Sequence, residues 1–454
     1  MSEKKLQFNQ EWLAWISEIV RDRISSEIEL VESDEFFYLH HNNQDVVVKI
    51  GPINSNFRGM SSKIEVDLWN PSFCNAPLWH ERIVVPKVLD SEPLICKLKE
   101  DEVFINFDLI GFISWHLLRV EELSCTKKDQ YDRFPSVQSN AFRFDYLDRP
   151  VVDEALGVLT NLLKLIWFEF VPENKDFQVL VSHDIDRPNT IGPTGFDLIA
   201  ILNGVRSIVA DVVKFGDFSF LSLARRSWNP FILSSDHQNS FEWIMDRSEE
   251  LGLRSSFHFI CGRTDVWRDC SYNIDHYSIR EVLRKISDRG HEICLHPSFR
   301  THLDPNALEK EALKLRLVLD EEGLSHGKLG SRMHYLKLKI PETYRYLERT
   351  GIYYDASLGY SDVAGFRAGT CFEYPFFDIM SGKKLNLRVR PLIFMEASIL
   401  SARDLDHVSE LAAIQKINTL KDRCRSVGGS FTVLWHNCEF FSEQRKKIYI
   451  EAIG

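Results

Sequence analysis

The chain has 454 residues, of which 44% are hydrophobic and 27% charged, and its formal net charge is -11 at pH 7. This length exceeds what one hydrophobic core usually supports, so we expect two domains. The acidic balance, with Lys and Arg residues scattered along the chain, argues against a protein that binds the phosphates of a nucleic-acid backbone.

Two features of the sequence indicate the compartment in which the protein resides. We find no apolar stretch of the kind that a signal peptide or a membrane-spanning helix requires. The nine cysteines are odd in number and form no CxxC pair, which is typical of a reducing environment. We therefore expect a cytoplasmic protein without a membrane span.

The N-terminal region predicts a small mixed α/β unit. Apolar residues recur at helical spacing from Phe8 to Val20, which predicts an amphipathic helix packed on a larger body. Two apolar runs on either side of the polar turn His41–Asp45 predict a hairpin. Further strand candidates lie around Ile83–Val85 and Val103–Phe107.

The next segment leads to a domain boundary. Asp108 is placed to cap a helix, residues 129–149 indicate an extended surface connection, and a helix with proline at its first position is predicted over Pro150–Trp167. The polar stretch that follows divides the chain into an N-terminal domain, residues 1–171, and a second domain, residues 172–454.

In the second domain, strand-like and helical runs alternate. The predicted strands are Val179–Ser182, Ser256–Ile260, Glu292–Leu295, Tyr353–Asp355, Leu387–Val389 and Phe431–Leu434, and the predicted helices are Phe241–Leu251, Ile279–Arg289 and Asn306–Glu322. This alternation predicts an α/β fold with a parallel sheet that can close into a barrel, and with site residues at the carboxyl ends of its strands.

The first of these strands ends in two aspartates. Asp184 and Asp186 project to the same side because side chains alternate along a strand. Two such carboxylates repel unless a cation or a proton holds them together. The functional interpretation is a divalent metal bound by one, with the other as general base. The alternative is a loop in which Asp186 caps a turn before Pro188.

Three further clusters end or follow predicted strands. His296 ends one strand and is a candidate metal ligand, whereas His291, an odd number of positions earlier, is better explained as a packed or capping residue. Gly330–Tyr335 contains Arg332 and His334. His436 follows a β-rich apolar run and suits a general acid. Together the four clusters favour a metal hydrolase.

In this order, the four clusters resemble the polysaccharide deacetylase (NodB homology) family over approximately Phe177–Phe441. The resemblance implies a distorted (β/α) barrel and the removal of acetyl groups from N-acetylated sugars. It also implies that Asp184 is the base, Asp186 a metal ligand and His296 the first metal histidine. The D-x-D spacing resembles the branch that contains peptidoglycan and allantoin-type deacylases.

The sequence departs from the family where the second metal histidine is expected. That position is Arg300, and an arginine cannot ligate a metal. His302 and His334 are the available substitutes. His334 is preferred because it belongs to a strand-end motif, whereas His302 lies in a loop.

The remaining roles are implied by the same resemblance. Arg332 corresponds to the arginine that orients the base, and Tyr335 to the residue whose backbone amide stabilises the oxyanion. Asp355 matches the aspartate that tunes the catalytic histidine, and His436 matches the acid. Arg367 either meets an anionic substrate group or holds its own loop.

The resulting expectation is a metal-dependent hydrolase, with Zn²⁺ as the ion because its ligands are Asp and His. Its substrate would be an N-acetylated sugar or a polysaccharide precursor, and a lipid-linked or nucleotide-linked sugar would suit a cytoplasmic enzyme. Three alternatives stay open: hydrolysis of a cyclic amide or ureide, a degenerate sugar-binding module, and a phosphoesterase.

Overall fold

The computed structural model describes residues 6–60, 63–88, 93–188, 240–270, 272–325, 327–400, 409–440 and 442–454. Within these residues, no helix combines the length and the apolar character needed to cross a bilayer.

The N-terminal part contains strands β1 to β9 and helices α1 to α6. The strands are β1 Ile28–Glu32, β2 Phe37–His41, β3 Val47–Ile50, β4 Val66–Trp69, β5 Ser72–Phe73, β6 Ala76–Pro77, β7 Ile83–Pro86, β8 Ile95–Lys99 and β9 Glu102–Ile105. The helices are α1 Gln10–Arg23, α2 Ser55–Arg58, α3 Leu109–Leu117, α4 Val120–Leu123, α5 Asn140–Arg143 and α6 Val151–Ile166. Five of the strands form a sheet in the order β1-β2-β3-β9-β8, in which only the β3–β9 pair is parallel.

Several sequence predictions for this part are confirmed. Helix α1 buries the predicted apolar stripe, β2 and β3 form the predicted antiparallel hairpin, and the Asp108 carboxylate accepts a hydrogen bond from Gly111 N at 2.7 Å. Two details differ. The connection over residues 129–149 contains the short helix α5, capped by Ser139, and Pro150 precedes helix α6 instead of occupying its first position.

The C-terminal part contains strands β10 to β18 and helices α7 to α13. The strands are β10 Gln178–Ile185, β11 Ser255–Phe259, β12 Glu292–Leu295, β13 Gly330–Ser331, β14 Tyr354–Asp355, β15 Tyr374–Asp378, β16 Lys383–Val389, β17 Phe394–Met395 and β18 Ser430–Leu434. The helices are α7 Ser240–Glu250, α8 Tyr277–Asp288, α9 Pro305–Glu321, α10 Glu342–Arg349, α11 Glu396–Ile399, α12 Glu410–Ser426 and α13 Glu443–Ile453.

These strands form one sheet in the order β15-β16-β14-β13-β12-β11-β10-β18-β17. Every ladder in it is parallel except the one between β15 and β16. The predicted parallel α/β sheet is therefore present. Within the described part of the chain no ladder joins β15 to β17, so closure into a barrel stays a prediction, as does the division at residue 171.

Buried ionic contacts join the two parts of the chain. The Arg367 guanidinium donates to both carboxylate oxygens of Glu122, at 2.9 and 2.6 Å, and to the Gly359 carbonyl at 2.8 Å. The Glu122 carboxylate also accepts from Arg119 at 2.8 Å, and Trp15 donates from Nε1 to the Pro375 carbonyl at 2.7 Å. Of the two roles considered for Arg367, holding its loop is the one that these contacts support.

Candidate metal centre and active site

Strand β10 carries the two aspartates to the carboxyl edge of the parallel sheet. It extends to Ile185, beyond the predicted end at Ser182, so Asp184 lies within the strand and Asp186 directly follows it. Asp184 is buried at 2% exposure, whereas the side chain of Asp186 is 29% exposed. The inner carboxylate is thus shielded from water, while the outer one is partly exposed.

Three side chains converge at this edge. Oδ1 of Asp186 lies 3.5 Å from Nε2 of His296 and 3.5 Å from Nε2 of His334. One oxygen and two nitrogens of these residues all lie within 4.8 Å of one another. Both Oδ1 of Asp186 and Nε2 of His296 are buried without a hydrogen-bond partner, an arrangement that is costly unless a cation completes it. The cluster could hold one divalent metal ion.

The second ring nitrogen of each histidine is fixed by a separate partner. Nδ1 of His296 lies 2.5 Å from the Arg332 carbonyl, and Nδ1 of His334 lies 3.0 Å from Oδ1 of Asp269. Such partners orient a metal-binding imidazole and raise its basicity. Burial would lower the pKa of His334, but the carboxylates of Asp186 and Asp269 raise it to about 9, so a metal ion that bound this ring would displace a proton.

Arg332 fixes Asp184. Its guanidinium is fully buried and donates to Oδ1 of Asp184 at 2.9 Å, to Ser182 Oγ at 2.7 Å and to the Ala356 carbonyl at 3.0 Å. Oδ2 of Asp184 lies 3.6 Å from Nε2 of His296. Against the effect of burial, the charges of His296 and Arg332 hold the pKa of Asp184 well below its usual value. The carboxylate is therefore ionised and immobile beside the cluster.

His436 faces the second carboxylate oxygen of Asp186. Its Nε2 is 3.8 Å from Oδ2 of Asp186, and its Nδ1 is 2.6 Å from Oε1 of the buried Glu396. Burial alone would lower the pKa of His436, but Glu396 and the aspartates raise it to about 10. The imidazole is thus held protonated, as a proton donor would be.

The residue that contacts the His436 imidazole is Glu396, whereas Asp355, which the family resemblance assigned to this imidazole, contacts two serines. Asp355 accepts hydrogen bonds from Ser331 Oγ at 2.9 Å, Ser357 Oγ at 2.8 Å and Ser357 N at 3.0 Å. Asp355, the last residue of β14, therefore joins Ser331 at the end of β13 to Ser357, which follows β14. Glu396 reaches His436 because it follows β17, which pairs with the neighbouring strand β18.

Tyr335 follows the last ligand of the cluster in an unusual conformation. Its backbone is left-handed, with φ 61° and ψ 16°, and Leu336 also has a positive φ of 55°. Non-glycine residues are uncommon in this region, and such strain concentrates at functional sites. The turn places the backbone of Tyr335 beside His334.

Arg300, His302 and His291 do not contact the cluster. Arg300 is exposed and donates to Oδ2 of Asp265 at 3.0 Å. His302 is buried, and its carbonyl accepts from Thr343 Oγ1 at 3.2 Å. His291 packs as expected, with Nδ1 accepting from Ser255 N at 3.0 Å. Of the two substitutes for the missing ligand, His334 is the one that the structure brings to Asp186 and His296.

Two residues of the site were missed by sequence reasoning. Glu396 follows the apolar run Leu392–Met395, which is the same strand-end pattern that identified Asp184 and His436 as candidates. This pattern could therefore have indicated Glu396 as well. Asp269 lies in the loop after β11, some distance beyond the strand end, and nothing in the sequence distinguishes it from other loop carboxylates.

One protein-family model matches the N-terminal part of the chain. A family model described as a family of unknown function, DUF7033, matches residues 6–168. The chain matches no curated protein.

Two solved structures show partial likeness. A protein from Mycobacterium smegmatis assigned as a polysaccharide deacetylase has a TM-score of 0.40 and 15% identity, over 62% of this chain and 84% of that protein. An allantoinase has a TM-score of 0.31 and 15% identity, over 48% of this chain and 69% of that protein. With TM-scores below 0.5, neither likeness bears on the site, which is interpreted from its own geometry.

Proposed function

We propose that this chain is a metal-dependent hydrolase that removes an N-acyl group, such as acetyl, from an amino sugar or a polysaccharide precursor. The observation that carries the proposal is the convergence of Asp186, His296 and His334 on one point, where two buried ligand atoms lack hydrogen-bond partners. Asp184 lies 3.6 Å from His296 and His436 lies 3.8 Å from Asp186, so both border the cluster.

The donor set suits zinc. Two imidazole nitrogens and one carboxylate oxygen are the protein ligands of many catalytic zinc sites, which keep a further position open. A zinc ion held by Asp186, His296 and His334 would polarise the amide carbonyl and lower the pKa of a bound water.

Two residues of the chain, Asp184 and His436, carry out the proton transfers. Asp184, ionised and fixed by Arg332, accepts a proton from the attacking water. His436, held protonated by Glu396, donates a proton to the departing amine. The backbone N–H of Tyr335 is placed to stabilise the oxyanion, a role that the resemblance implies. Asp184 lies beside His296 and His436 beside Asp186, so the two groups would serve as the base and the acid of amide hydrolysis.

Acetate release from N-acetylated sugars tests this function. The zinc-loaded protein should release acetate, and Asp184→Asn should reduce the rate by roughly 10² to 10⁴, the usual contribution of a general base. Glu309→Gln is a matched control, because Glu309 is an exposed carboxylate on helix α9. Equal rates from the wild type and Asp184→Asn would reject this role for Asp184.

A second candidate keeps the site and changes the bond. The same pair of groups and the same ion would hydrolyse a cyclic amide or a ureide. A panel of heterocyclic amides separates the two, since a sugar deacylase should leave them intact.

A further inference from the structure

A cluster of aromatic rings lies beside the candidate metal centre. The rings of Tyr131, Phe299 and Tyr335 contact one another, and their centroids are 5.0 Å apart for Tyr131 and Tyr335 and 5.2 Å apart for Phe299 and Tyr335. The Tyr335 ring also lies 4.7 Å from the ring of His334. The aromatic cluster therefore begins one ring away from the proposed ion.

The N-terminal part of the chain supplies one side of this cluster. Nη1 of Arg133 donates to the Tyr335 carbonyl at 3.0 Å, and Nε of Arg133 donates to Oδ2 of Asp129 at 2.7 Å. The Arg133 guanidinium lies 4.9 Å from the centroid of the Tyr131 ring. The segment 129–133 is thus fastened to the left-handed turn of the site, although it belongs to the part of the chain that matches the DUF7033 model.

Positive groups surround the rings. Arg268 lies 4.8 Å from the centroid of the Phe299 ring, and Nζ of Lys337 lies 3.8 Å from the same centroid. Lys337 is only 6% exposed, and no carboxylate of the described residues lies within 4.0 Å of its Nζ. Burial and the charge of Arg268 lower the pKa of Lys337, against the opposing charge of the exposed Asp132. The buried lysine therefore packs against an aromatic ring, and the opposing charge that acts on it is that of the exposed Asp132.

The carboxylates near the cluster are already shared among the arginines. Asp129 pairs with Arg133, while Oδ2 of Asp265 lies 3.1 Å from Arg268 and 3.0 Å from Arg300. One carboxylate therefore serves two guanidinium groups. With Asp269 paired to His334, the four cations Arg133, Arg268, Arg300 and Lys337 face three carboxylates, those of Asp129, Asp132 and Asp265. Positive charge concentrated at the mouth of a site attracts anionic ligands.

We propose that Arg133, Arg268 and Lys337 bind a phosphate group of the substrate, so that the site accepts an N-acyl amino sugar carrying a phosphate ester. This inference rests on the proposed function. The planar guanidinium fork matches the geometry of phosphate oxygens. A phosphate ester carries a charge of about -1.5 to -2 near neutral pH, which suits several cations better than the single charge of a carboxylate does. The adjacent tyrosine rings offer the flat apolar surface that a sugar ring requires.

Binding without turnover tests the phosphate site. Calorimetry on the zinc-loaded protein would compare N-acetylglucosamine 1-phosphate with N-acetylglucosamine, for the wild type, Arg268→Gln and Lys337→Met. We expect the wild type to bind the phosphate sugar at least about tenfold more tightly, and each variant to weaken that binding by about tenfold. Binding of the neutral sugar should change less than about twofold.

Two controls protect the interpretation. Lys339→Gln removes a nearby lysine that is 57% exposed and pairs with Glu342, and it should leave both affinities unchanged. Lys337→Arg keeps the charge and should restore the affinity that Lys337→Met loses, which separates loss of charge from loss of fold. In Arg268→Gln, Asp265 keeps its pair with Arg300.

Three results would overturn the phosphate site. The first is equal binding of the two sugars by the wild type. The second is binding of the phosphate sugar that is unchanged in both variants, as expected if the ion alone held the phosphate. The third is that the wild type binds N-acetylmuramic acid, which carries a carboxylate, as tightly as the phosphate sugar. Tighter binding of UDP-N-acetylglucosamine would support the site and indicate a diphosphate-linked substrate. A lack of acetate release would count against the proposed function only, because these measurements need no reaction.

Discussion

Nδ1 of His436 lies 2.6 Å from Oε1 of Glu396, in a contact where the Glu396 side chain is 2% exposed and that of His436 is 21% exposed. The carboxylate is thus held out of water while the imidazole reaches the mouth of the site. An imidazole held in this way is oriented and kept protonated, so Glu396 acts as a positioning residue for the proposed acid.

Replacing Glu396 should reduce turnover and spare the metal centre. We expect Glu396→Gln to lower kcat/KM for an N-acetylated sugar by roughly 10², because the proton donor loses its ionic partner. Glu396→Asp should recover part of the loss. Zinc content measured on the same samples should equal that of the wild type, and a variant that loses both activity and zinc would contradict a role confined to His436.

The identity of the third ligand can be tested by three substitutions. His334→Ala should lose most of the bound zinc, since it removes one of three protein ligands. Arg300→Ala and His302→Ala should retain the ion, because Arg300 is turned toward Asp265 and His302 lies in a neighbouring short helix. Zinc retained by His334→Ala and lost by His302→Ala would reverse the assignment.

The buried ion pair between the two parts of the chain should be important for stability. Glu122→Gln leaves the buried Arg367 guanidinium without its carboxylate, and breaking such a pair costs roughly 3–5 kcal/mol. Urea unfolding measures this loss. Glu102→Gln is the control, because its partner Lys99 is 72% exposed and exposed pairs contribute at most about 1 kcal/mol. Similar losses in the two variants would contradict this account of the interface.

The stability of the N-terminal part should depend on pH through His116. Burial lowers the pKa of His116 to about 3, whereas an unfolded histidine has a pKa of about 6.5. The folded chain therefore holds the ring neutral. The contribution of this ring to the free energy of unfolding is complete above about pH 6.5, and it declines as the pH falls toward 3, by up to about 1.4 kcal/mol per pH unit.

His116→Gln tests this dependence. The ring lies 2.9 Å from the Phe112 carbonyl and 3.2 Å from the Tyr146 hydroxyl, and a glutamine amide can replace part of these bonds. Between about pH 6 and 4, the free energy of unfolding should fall less steeply with decreasing pH in the variant than in the wild type. The difference arises because the wild type takes up about one more proton on unfolding. Identical slopes in urea unfolding would show that His116 does not titrate on unfolding. Other buried histidines, such as His183, contribute equally to both proteins.

The sequence predicted the parts of the fold that follow from local pattern. Hydrophobic periodicity located helix α1 and the β2–β3 hairpin, and the strand-end motifs located Asp184, Asp186, His296 and His436. It placed the end of β10 too early because Ser182 and Asp184 are polar, yet both side chains are buried by contacts with distant residues such as Arg332.

What the sequence could not predict depends on which segments become neighbours. Glu396 reaches His436 because β17 pairs with β18, a contact between segments about 40 positions apart. Asp269 meets His334 across 65 positions. In the same way, Arg133 reaches Tyr335 across 202 positions, and no local pattern indicates that the N-terminal part contributes to the site.

The metal content of the purified chain is the most direct test of the claim that Asp186, His296 and His334 share one ion. After loading with zinc and removal of the excess, we expect about one ion per chain in the wild type and little in His296→Ala. A wild-type content under about a tenth of an ion per chain, or one that is unchanged by His296→Ala, would contradict the metal centre and favour a sugar-binding protein without catalytic activity.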